Sequence, residues 1–353
     1  MGNIFYRTYP KKFNKDKSNL GFFDIYDLDQ RFIIGKILGV DFIIIEDIFK
    51  RDGDYLVFSQ INKNLGQSQD FISQISKAHD LKLGIFLRLD LSKMKKISKK
   101  TISSILNFWI NKGVDGFILD DFSRSSKFFG ENILSLKNSY KNIKFILNTS
   151  DKKKDEIFDG YVNFSYGKNS KNLGFRKFIL DKNKKNLAFA LNGDHGFMCK
   201  NFLDFKHFYT NCSKLMAIIS IMRSEDIFIK EGEETLYYKK EIDPDIRKEI
   251  FDFYRKIVLI RYDYLDIIKE GYYPLNYKNK DLLAYFYCKN NKALVILNNS
   301  SQKDSLLDLP EFFDTKKSKF LIGNISQREI FKNINLRAYE SIVFTSSIKK
   351  YKS

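Results

Sequence analysis

Cysteine is scarce in this sequence, with three residues in 353. Cys199, Cys212 and Cys288 lie far apart and form no Cys-x-x-Cys pair, so the chain indicates neither a disulfide framework nor a zinc site. Long apolar runs are also missing, because stretches such as "LMAIISIM" fall well short of the roughly 20 residues of a membrane span. The N-terminal residues lack the unbroken apolar core of a signal peptide. These absences predict a cytoplasmic protein that does not enter a membrane.

Acidic residues are outnumbered, and the formal net charge is +18. A charge of this size is typical of proteins that bind polyanions. Here, however, the lysines are scattered along the whole chain. The densest basic runs, "KMKKISKK" and "DKKKDE", lack the interleaved aromatic residues on which bases stack. We therefore expect no nucleic-acid partner.

Short runs of apolar, β-branched or aromatic residues alternate with amphipathic stretches along most of the chain. Eight such runs occur: "NIFYRTY", "GVDFIII", "KLGIFLRLD", "GFILDD", "IKFILNTS", "GYVNFSY", "NLAFALN" and "DIFIKEG". Helix patterns fall between them, at 25–38, 68–80, 100–112, 131–141 and 201–222. This alternation predicts an α/β fold, a closed (β/α)8 TIM barrel with parallel strands and outer helices.

The pattern changes after a last long helix, which an Asp-Pro-Asp start and an apolar stripe predict over about 243–269. Beyond it, "DLLAYFYCKNNKALVILNNSS" indicates two strands joined by a tight turn, and "ESIVFTSS" indicates a further strand. We therefore expect a barrel over residues 1–270, a small antiparallel β-sandwich domain over 271–349 and a tail over 350–353. The helix has apolar residues on more than one face, so the two domains should pack together.

Polar residues follow most of the predicted barrel strands, at the end where such barrels carry their sites. They are Glu46, Asp47, Asp90, Asp120, Asp121, Asn148, Thr149, Asp194, His195, Glu231 and Glu233. Several carboxylates around one opening suit a ligand with many hydroxyl groups. No Gly-rich loop joins a strand to a helix, which disfavours a phosphate ligand.

Several of these strand segments, taken in order, resemble the α-amylase superfamily of retaining glycoside hydrolases (family 13), in its oligo-1,6-glucosidase and α-glucosidase branch. The segments are "YRTYPKKF", "LGVDFIIIEDIF", "AHDLKLGIFLRLD", "FWINKGVDGFILDD", "ALNGDHG" and "EGEE", followed by "FYRKIVLIRYDYLDIIKEGYY" and "LVILNNSS". The resemblance implies a carbohydrate site, with Asp120 in the position of the catalytic nucleophile.

The other catalytic positions depart from the pattern that the resemblance implies. The arginine expected two residues before the nucleophile is Ile118. Residues i and i+2 share one face of a strand, so Ile118 should desolvate Asp120 and raise its pKa. The general-acid glutamate expected after the fifth strand is missing, because only Asn148 and Thr149 stand there. Glu131 mimics the acid motif, but it lies near a predicted helix and is rejected as the acid.

The remaining motifs also depart from the family. Asp194 and His195 stand in reversed order, and either could contact a sugar hydroxyl. Arg88 occupies the third strand, and the long excursion expected after that strand, which roofs the site and often holds calcium, is reduced to "LSKMKKISKK". Asp54 in "RDGDY" could bind the first sugar or be a turn residue. We expect no structural metal and no cofactor.

Two hypotheses on function remain. The first is a degenerate α-amylase-type barrel, a pseudoenzyme of carbohydrate metabolism that keeps the fold and binds a carbohydrate or a protein partner. In that case Asp120, Asp54, Asp194, His195 and Glu46 would contact the ligand, or Asp120 would be a remnant. The second is an active retaining α-glucosidase or transglycosidase on small α-glucosides, with Asp194 or Glu46 as a displaced acid.

Overall fold

The computed structural model describes residues 2–8, 28–94, 98–120, 126–149, 157–163, 187–189, 206–236, 242–275, 277–279, 281–301 and 303–349. Within them, an eight-stranded parallel sheet forms the N-terminal part. Its strands, in spatial order, are β10 (Ile227–Lys230), β1 (Ile4–Thr8), β2 (Phe42–Ile45), β5 (Gly84–Asp90), β6 (Gly116–Asp120), β7 (Lys144–Asn148), β8 (Gly160–Asn163) and β9 (Leu187–Phe189).

The two end strands, β9 and β10, lie against each other, so the sheet closes on itself. Each of the eight predicted runs contains one of these strands, and every pairing between neighbours is parallel. The predicted (β/α)8 barrel is therefore confirmed.

Helices alternate with the strands along the chain. They are α1 (Leu28–Leu38), α2 (Ser68–Asp80), α3 (Lys99–Ile110), α4 (Ser126–Ser139), α5 (Lys206–Ile221), α6 (Pro244–Asp263) and α7 (Leu265–Ile268). The predicted last helix is thus two helices that meet at Tyr264, and α4 begins earlier than expected. No helix of the described residues has the length and apolarity needed to cross a membrane.

A β-hairpin that the sequence pattern did not predict follows β2. It consists of β3 (Phe49–Asp52) and β4 (Tyr55–Ile61), joined by the Gly53-Asp54 turn. The indole of Trp109 on α3 holds the hairpin in place, because it is fully buried and donates a hydrogen bond to the Phe58 carbonyl oxygen at 2.6 Å. The Asp-Gly pair at 52–53 is typical of a hairpin turn. The regular alternation of strands and helices nevertheless led to a prediction without a hairpin at this place.

Side chains alternate between the inside of the barrel and the outer layer of helices, as residues of a strand must. One apolar layer fills the inside, formed by Phe5, Ile44, Phe86, Ile118, Ile146, Val162 and Phe228. The ring of Phe86 occupies the space beside Gly116, where an added Cβ would lie 2.3 Å from its Cζ. Gly116 therefore admits the aromatic ring that closes this end of the barrel.

An antiparallel five-stranded sheet forms the C-terminal part. Its strands, in spatial order, are β11 (Tyr272–Pro274), β12 (Leu282–Lys289), β13 (Lys292–Asn299), β17 (Ser341–Ile348) and β15 (Phe313–Gly323). A separate pair consists of β14 (Ser305–Asp308) and β16 (Asn333–Leu336). The predicted tight turn between β12 and β13 is present, and Asn290 and Asn291 both have positive φ, as such hairpin turns require.

The barrel and the C-terminal sheet share one core. Tyr285 and Tyr287 of β12 are buried among barrel and helix residues, and both hydroxyls donate to the carbonyl oxygen of Met222, at 3.2 and 3.0 Å. The Arg261 guanidinium of α6 is also fully buried and donates to the carbonyl oxygens of Ile221, Arg223 and Glu225. The C-terminal sheet and α6 thus hold residues 221–225, which lead into β10, by hydrogen bonds to their carbonyl oxygens.

We predict that the chain truncated after Glu270 will be insoluble, because the truncation exposes the apolar residues of the helices and barrel that the C-terminal sheet covers. Expression and gel filtration of the truncated protein measure this. As a control, Leu306→Ser alters a residue of the same sheet region that is already 71% exposed, and it should leave solubility unchanged. A soluble 1–270 protein with a cooperative unfolding transition would contradict the prediction.

Candidate functional site

The candidate site is the layer of inward-facing residues directly above the apolar layer, towards the C-terminal ends of the strands. Each of its members stands two residues after a member of the apolar layer and therefore points to the same side of its strand. On the five neighbouring strands β1, β2, β5, β6 and β7, these residues are Arg7, Glu46, Arg88, Asp120 and Asn148, and on β10 Lys230 also stands two residues after Phe228. The five residues from β1 to β7 are the network described below. Their charges alternate in sign from strand to strand and end at a neutral amide.

Glu46 lies between two guanidinium groups. Its Oε1 accepts from Arg7 Nε at 2.9 Å, and its Oε2 accepts from Arg88 Nη1 at 2.8 Å. Glu46 is 3% exposed and Arg7 is 1% exposed. Burial alone would raise the pKa of Glu46, but the two arginines outweigh it and hold the pKa below its ordinary value. Glu46 is therefore a carboxylate at neutral pH and has no proton to donate.

Asp120 is bound at both carboxylate oxygens. Its Oδ2 accepts from Arg88 Nε and Nη2, at 2.7 and 2.6 Å, and its Oδ1 accepts from Asn148 Nδ2 at 2.8 Å. Burial raises the pKa of Asp120, whereas the charge and hydrogen bonds of Arg88 and the Asn148 amide counteract the rise.

The expected environment of Asp120 is correct in one part and wrong in another. Ile118 is fully buried and lies on the same face of β6, as expected. Asp120 does not, however, lack a cation, because Arg88 reaches it from the neighbouring strand β5. The spacing of Ile118 and Asp120 shows only neighbours on one strand, whereas the guanidinium comes from Arg88, the residue of β5 that pairs with Ile118.

The carboxylates that follow β10 lie on the outer side of the barrel wall. Glu231 accepts from Thr8 Oγ1 at 2.7 Å and pairs with Arg31 of α1 at 2.9 Å. Glu234 accepts from the hydroxyl of Tyr6 at 2.8 Å. Tyr6 and Thr8 alternate with the inward-facing Phe5 and Arg7, so these contacts face the helices. The carboxylates after β10 therefore belong to a different layer from Asp120.

The same outer layer holds the described carboxyl group with the largest rise in pKa. Glu234 is 3% exposed, and burial raises its pKa to about 8, against the hydrogen bonds from its own backbone amide and from the Tyr6 hydroxyl. Glu233 Oε2 accepts from the backbone amide of Lys230.

Among the described residues, Asp54, Asp90 and Glu131 form no hydrogen bond with this network. Asp54 lies in the exposed turn between β3 and β4. Asp90 accepts from Ser92 Oγ at 2.6 Å, at the start of a short 3-10 helix. Glu131 lies within α4 and pairs with Lys99 of α3, far out on the helical layer, which agrees with its rejection as an acid. Asp121, Asp194 and His195 lie outside the described residues.

Two members of the network were missed as site residues, namely Arg7 and Arg88. Their signal was present in the sequence, because each arginine stands two residues after a phenylalanine of an apolar strand. An inward-facing arginine at that place needs a carboxylate on a neighbouring strand. Over the part of the chain that the structure describes, no group of three or more His, Cys, Asp or Glu side chains is arranged to hold a metal ion.

A closed parallel barrel with a layer of charged residues at the C-terminal ends of its strands defines the class of (β/α)8 proteins with a site at the barrel mouth. The chain matches none of the established protein-family models. In sequence it is similar to the trehalose-6-phosphate hydrolase of Bacillus subtilis, with 34% identity over 101 residues, which are 28% of this chain and 18% of that protein. It is also similar to the oligo-1,6-glucosidase of Parageobacillus thermoglucosidasius, with 31% identity over 99 residues, 27% of this chain and 17% of the relative.

Solved structures agree over nearly the whole chain. The trehalose-6-phosphate hydrolase of Bacillus licheniformis superposes with a TM-score of 0.76 at 16% identity, covering 98% of this chain and 99% of that one. An isomaltulose synthase of Erwinia rhapontici superposes with a TM-score of 0.77 at 14% identity, covering 98% of each chain. At these identities the likeness shows a shared fold.

The chain is accordingly similar to α-amylase-family, glucosidase-like enzymes of glycoside hydrolase family 13, in sequence over 28% of its length and in fold over 98% of it. The resemblance that the strand motifs indicated is confirmed. The aligned segments span less than a fifth of the length of the curated relatives it matches.

We predict that Arg7→Met will destabilise the protein by about 3–5 kcal/mol, because it leaves Glu46 in a buried site with one cation for two carboxylates. Arg7→Met combined with Glu46→Gln restores the balance of charge and should recover most of the loss. The midpoint of chemical unfolding measures both. Lys332→Met is the control, since its ion pair with Glu311 is largely exposed and should have no measurable effect. A double variant as unstable as Arg7→Met would contradict the prediction.

We also predict that Glu234 makes stability depend on pH. Its pKa in the folded state is about 8, above the ordinary value of 4.5, so the folded state binds the proton more tightly. The contribution is complete below about pH 4.5 and is lost as the pH rises through 8, at up to about 1.4 kcal/mol per pH unit. Melting temperatures of wild type and Glu234→Gln at pH 5 to 9 measure the difference, with the exposed Glu329→Gln as control. A difference that does not change with pH would refute this.

Proposed function

We propose that this protein binds a carbohydrate of the α-glucoside kind at the mouth of its barrel and hydrolyses it weakly or not at all. The observation that supports this proposal is the state of Asp120, whose two carboxylate oxygens accept three hydrogen bonds from Arg88 and Asn148. A nucleophile needs a lone pair directed at the sugar carbon, and these hydrogen bonds engage most of the lone pairs that the carboxylate offers.

The described residues around Asp120 offer no proton donor, and this supports the same proposal. A retaining glycosidase needs a carboxylic acid about 5 to 5.5 Å from its nucleophile, with a raised pKa. Among the described side chains of the mouth, Asn148 is an amide and Glu46 has a lowered pKa. Glu234 has a raised pKa, but its contacts lie on the outer side of the barrel wall. None of the three can protonate a leaving oxygen at Asp120.

Binding is supported by the polar groups that remain accessible. The side chain of Arg88 is 25% exposed and that of Asp120 is 11% exposed, so both reach the solvent at the mouth. Guanidinium, carboxylate and amide groups in one fixed arrangement can exchange hydrogen bonds with several sugar hydroxyls. Asp54, Asp194 and His195 stay candidates for further sugar contacts. Glu46 would act by holding Arg88.

We predict that the purified protein releases no nitrophenol from 4-nitrophenyl α-glucoside above the level of an Asp120→Asn variant. Nitrophenolate leaves without help from an acid, so its release reports the nucleophile, whose oxygens are engaged by Arg88 and Asn148. Maltose, isomaltose and trehalose are tested in the same way by glucose release. Calorimetry should detect binding of at least one of these sugars to wild type, and weaker binding to Asp120→Asn. The exposed Asp80→Asn is the control for both measurements.

Turnover by wild type that disappears in Asp120→Asn would show an active enzyme and overturn the proposal. Asp194→Asn would then determine whether Asp194 is a displaced acid, as the alternative hypothesis requires. Absence of both turnover and binding would leave a protein partner as the ligand of the mouth. The cytoplasmic location expected from the sequence stays a prediction, which localisation of a tagged protein would check.

A further inference from the structure

The contact between Arg88 and Asp120 is set by the register of two neighbouring strands. Arg88 of β5 is the pairing partner of Ile118 on β6, and Asp90 is the pairing partner of Asp120. The guanidinium must therefore extend along the strand, towards the C-terminal end, to meet the carboxylate one inward-facing position further on. Its Nε and Nη2 both donate to Oδ2 of Asp120, while its Nη1 donates to Oε2 of Glu46 on the other side.

The charges around Asp120 leave Arg88 as its counterion. On the side of β5, Asp120 contacts Arg88 and lies near the negative charge of Asp90. On the side of β7, it accepts a hydrogen bond from the neutral Asn148. Glu46, on β2, is paired with Arg7 as well as with Arg88. Two guanidinium groups thus balance two buried carboxylates, and removal of Arg88 would leave Asp120 with an amide as its only described partner.

The protonation of Asp120 determines what it can offer a ligand. As a carboxylate it accepts hydrogen bonds only, and its Oδ1, which receives one bond from Asn148, keeps acceptor capacity for a hydroxyl. As a neutral acid it would carry a proton on one oxygen, and the bonds from Arg88 would lose the contribution of the negative charge. Burial favours the neutral acid, so the ionised form needs a cation at contact distance.

We propose that Arg88 is the positioning residue of the mouth, which by its charge and two hydrogen bonds holds Asp120 as an oriented carboxylate that accepts a ligand hydroxyl. This inference rests on the proposed carbohydrate binding for its last step. Arg88 on β5 thereby supplies the positive charge that Ile118, on the same strand as Asp120, cannot supply.

The test is a titration of the Asp120 carboxyl group by NMR, with 13C label in the aspartate side chains and the signal assigned by its loss in Asp120→Asn. In Arg88→Met the midpoint should rise by roughly one pH unit or more relative to wild type. Arg88→Lys should keep a midpoint close to wild type, because the charge remains. An unchanged midpoint in Arg88→Met would overturn the proposal.

A balanced variant covers the case in which Arg88→Met does not fold. Arg88→Gln with Glu46→Gln removes one charge of each sign, and the midpoint of Asp120 should rise as in Arg88→Met. Arg88→Ile with Ile118→Arg exchanges two side chains at paired positions and moves the guanidinium onto the strand of Asp120. This exchange should return the midpoint to near the wild-type value, and a midpoint that stays raised would overturn the role given to charge.

Ligand binding is tested with maltose, by calorimetry from pH 4 to 9. Wild-type affinity should fall at acid pH with the midpoint of the Asp120 titration, and in Arg88→Met this fall should move to higher pH by the same shift. Affinity that does not follow the titration would overturn the positioning role. If wild type binds neither maltose, isomaltose nor trehalose at any pH, the proposed function and the ligand step fail together, while the titration still decides whether Arg88 holds Asp120 ionised.

Discussion

The burial of charge inside a closed barrel is the constraint on which this structure depends. Strands screen the inner side chains from water, so a guanidinium or carboxylate there is stable only beside a group of opposite sign. Arg7, Glu46, Arg88 and Asp120 meet this need by alternating in sign across β1, β2, β5 and β6. Each charge is shared with the next strand, so a change at one position alters the electrostatics of the whole row.

The same arrangement limits the chemistry of the mouth. Active sites commonly keep polar groups short of partners and thereby shift their pKa values towards a task. Here the groups of the mouth satisfy one another: both oxygens of Glu46 and both of Asp120 accept hydrogen bonds from arginine or asparagine. The strongly raised pKa occurs instead at Glu234, in the layer between the barrel wall and its helices. The hydrogen bonds that stabilise the charged row are thus the same ones that engage the oxygens of Asp120.

The fold could be predicted because its signals are local. Each strand of the barrel lies within one apolar run, and the Asp243 side chain caps α6 where the sequence places a helix start. The hairpin of β3 and β4 was missed because its strands interrupt the alternation of strand and helix. The site was harder to predict, because the partner of Asp120 depends on the register of β5 against β6. The spacing between Ile118 and Asp120 is visible in one strand, whereas the approach of Arg88 requires the pairing of two.

The hydrogen bonds by which the C-terminal sheet and α6 hold the segment before β10 have a consequence for how the chain folds. The Arg261 guanidinium reaches the carbonyl oxygen of Gly2 across 259 positions of sequence, and β1 pairs with β10 over a similar separation. Contacts so distant in sequence make folding slow. During synthesis, β1 is made long before β10. The edge of β1 that pairs with β10 is therefore open to other chains in the meantime. Until β10 is made, this edge is a place where the newly made chain can pair with other chains.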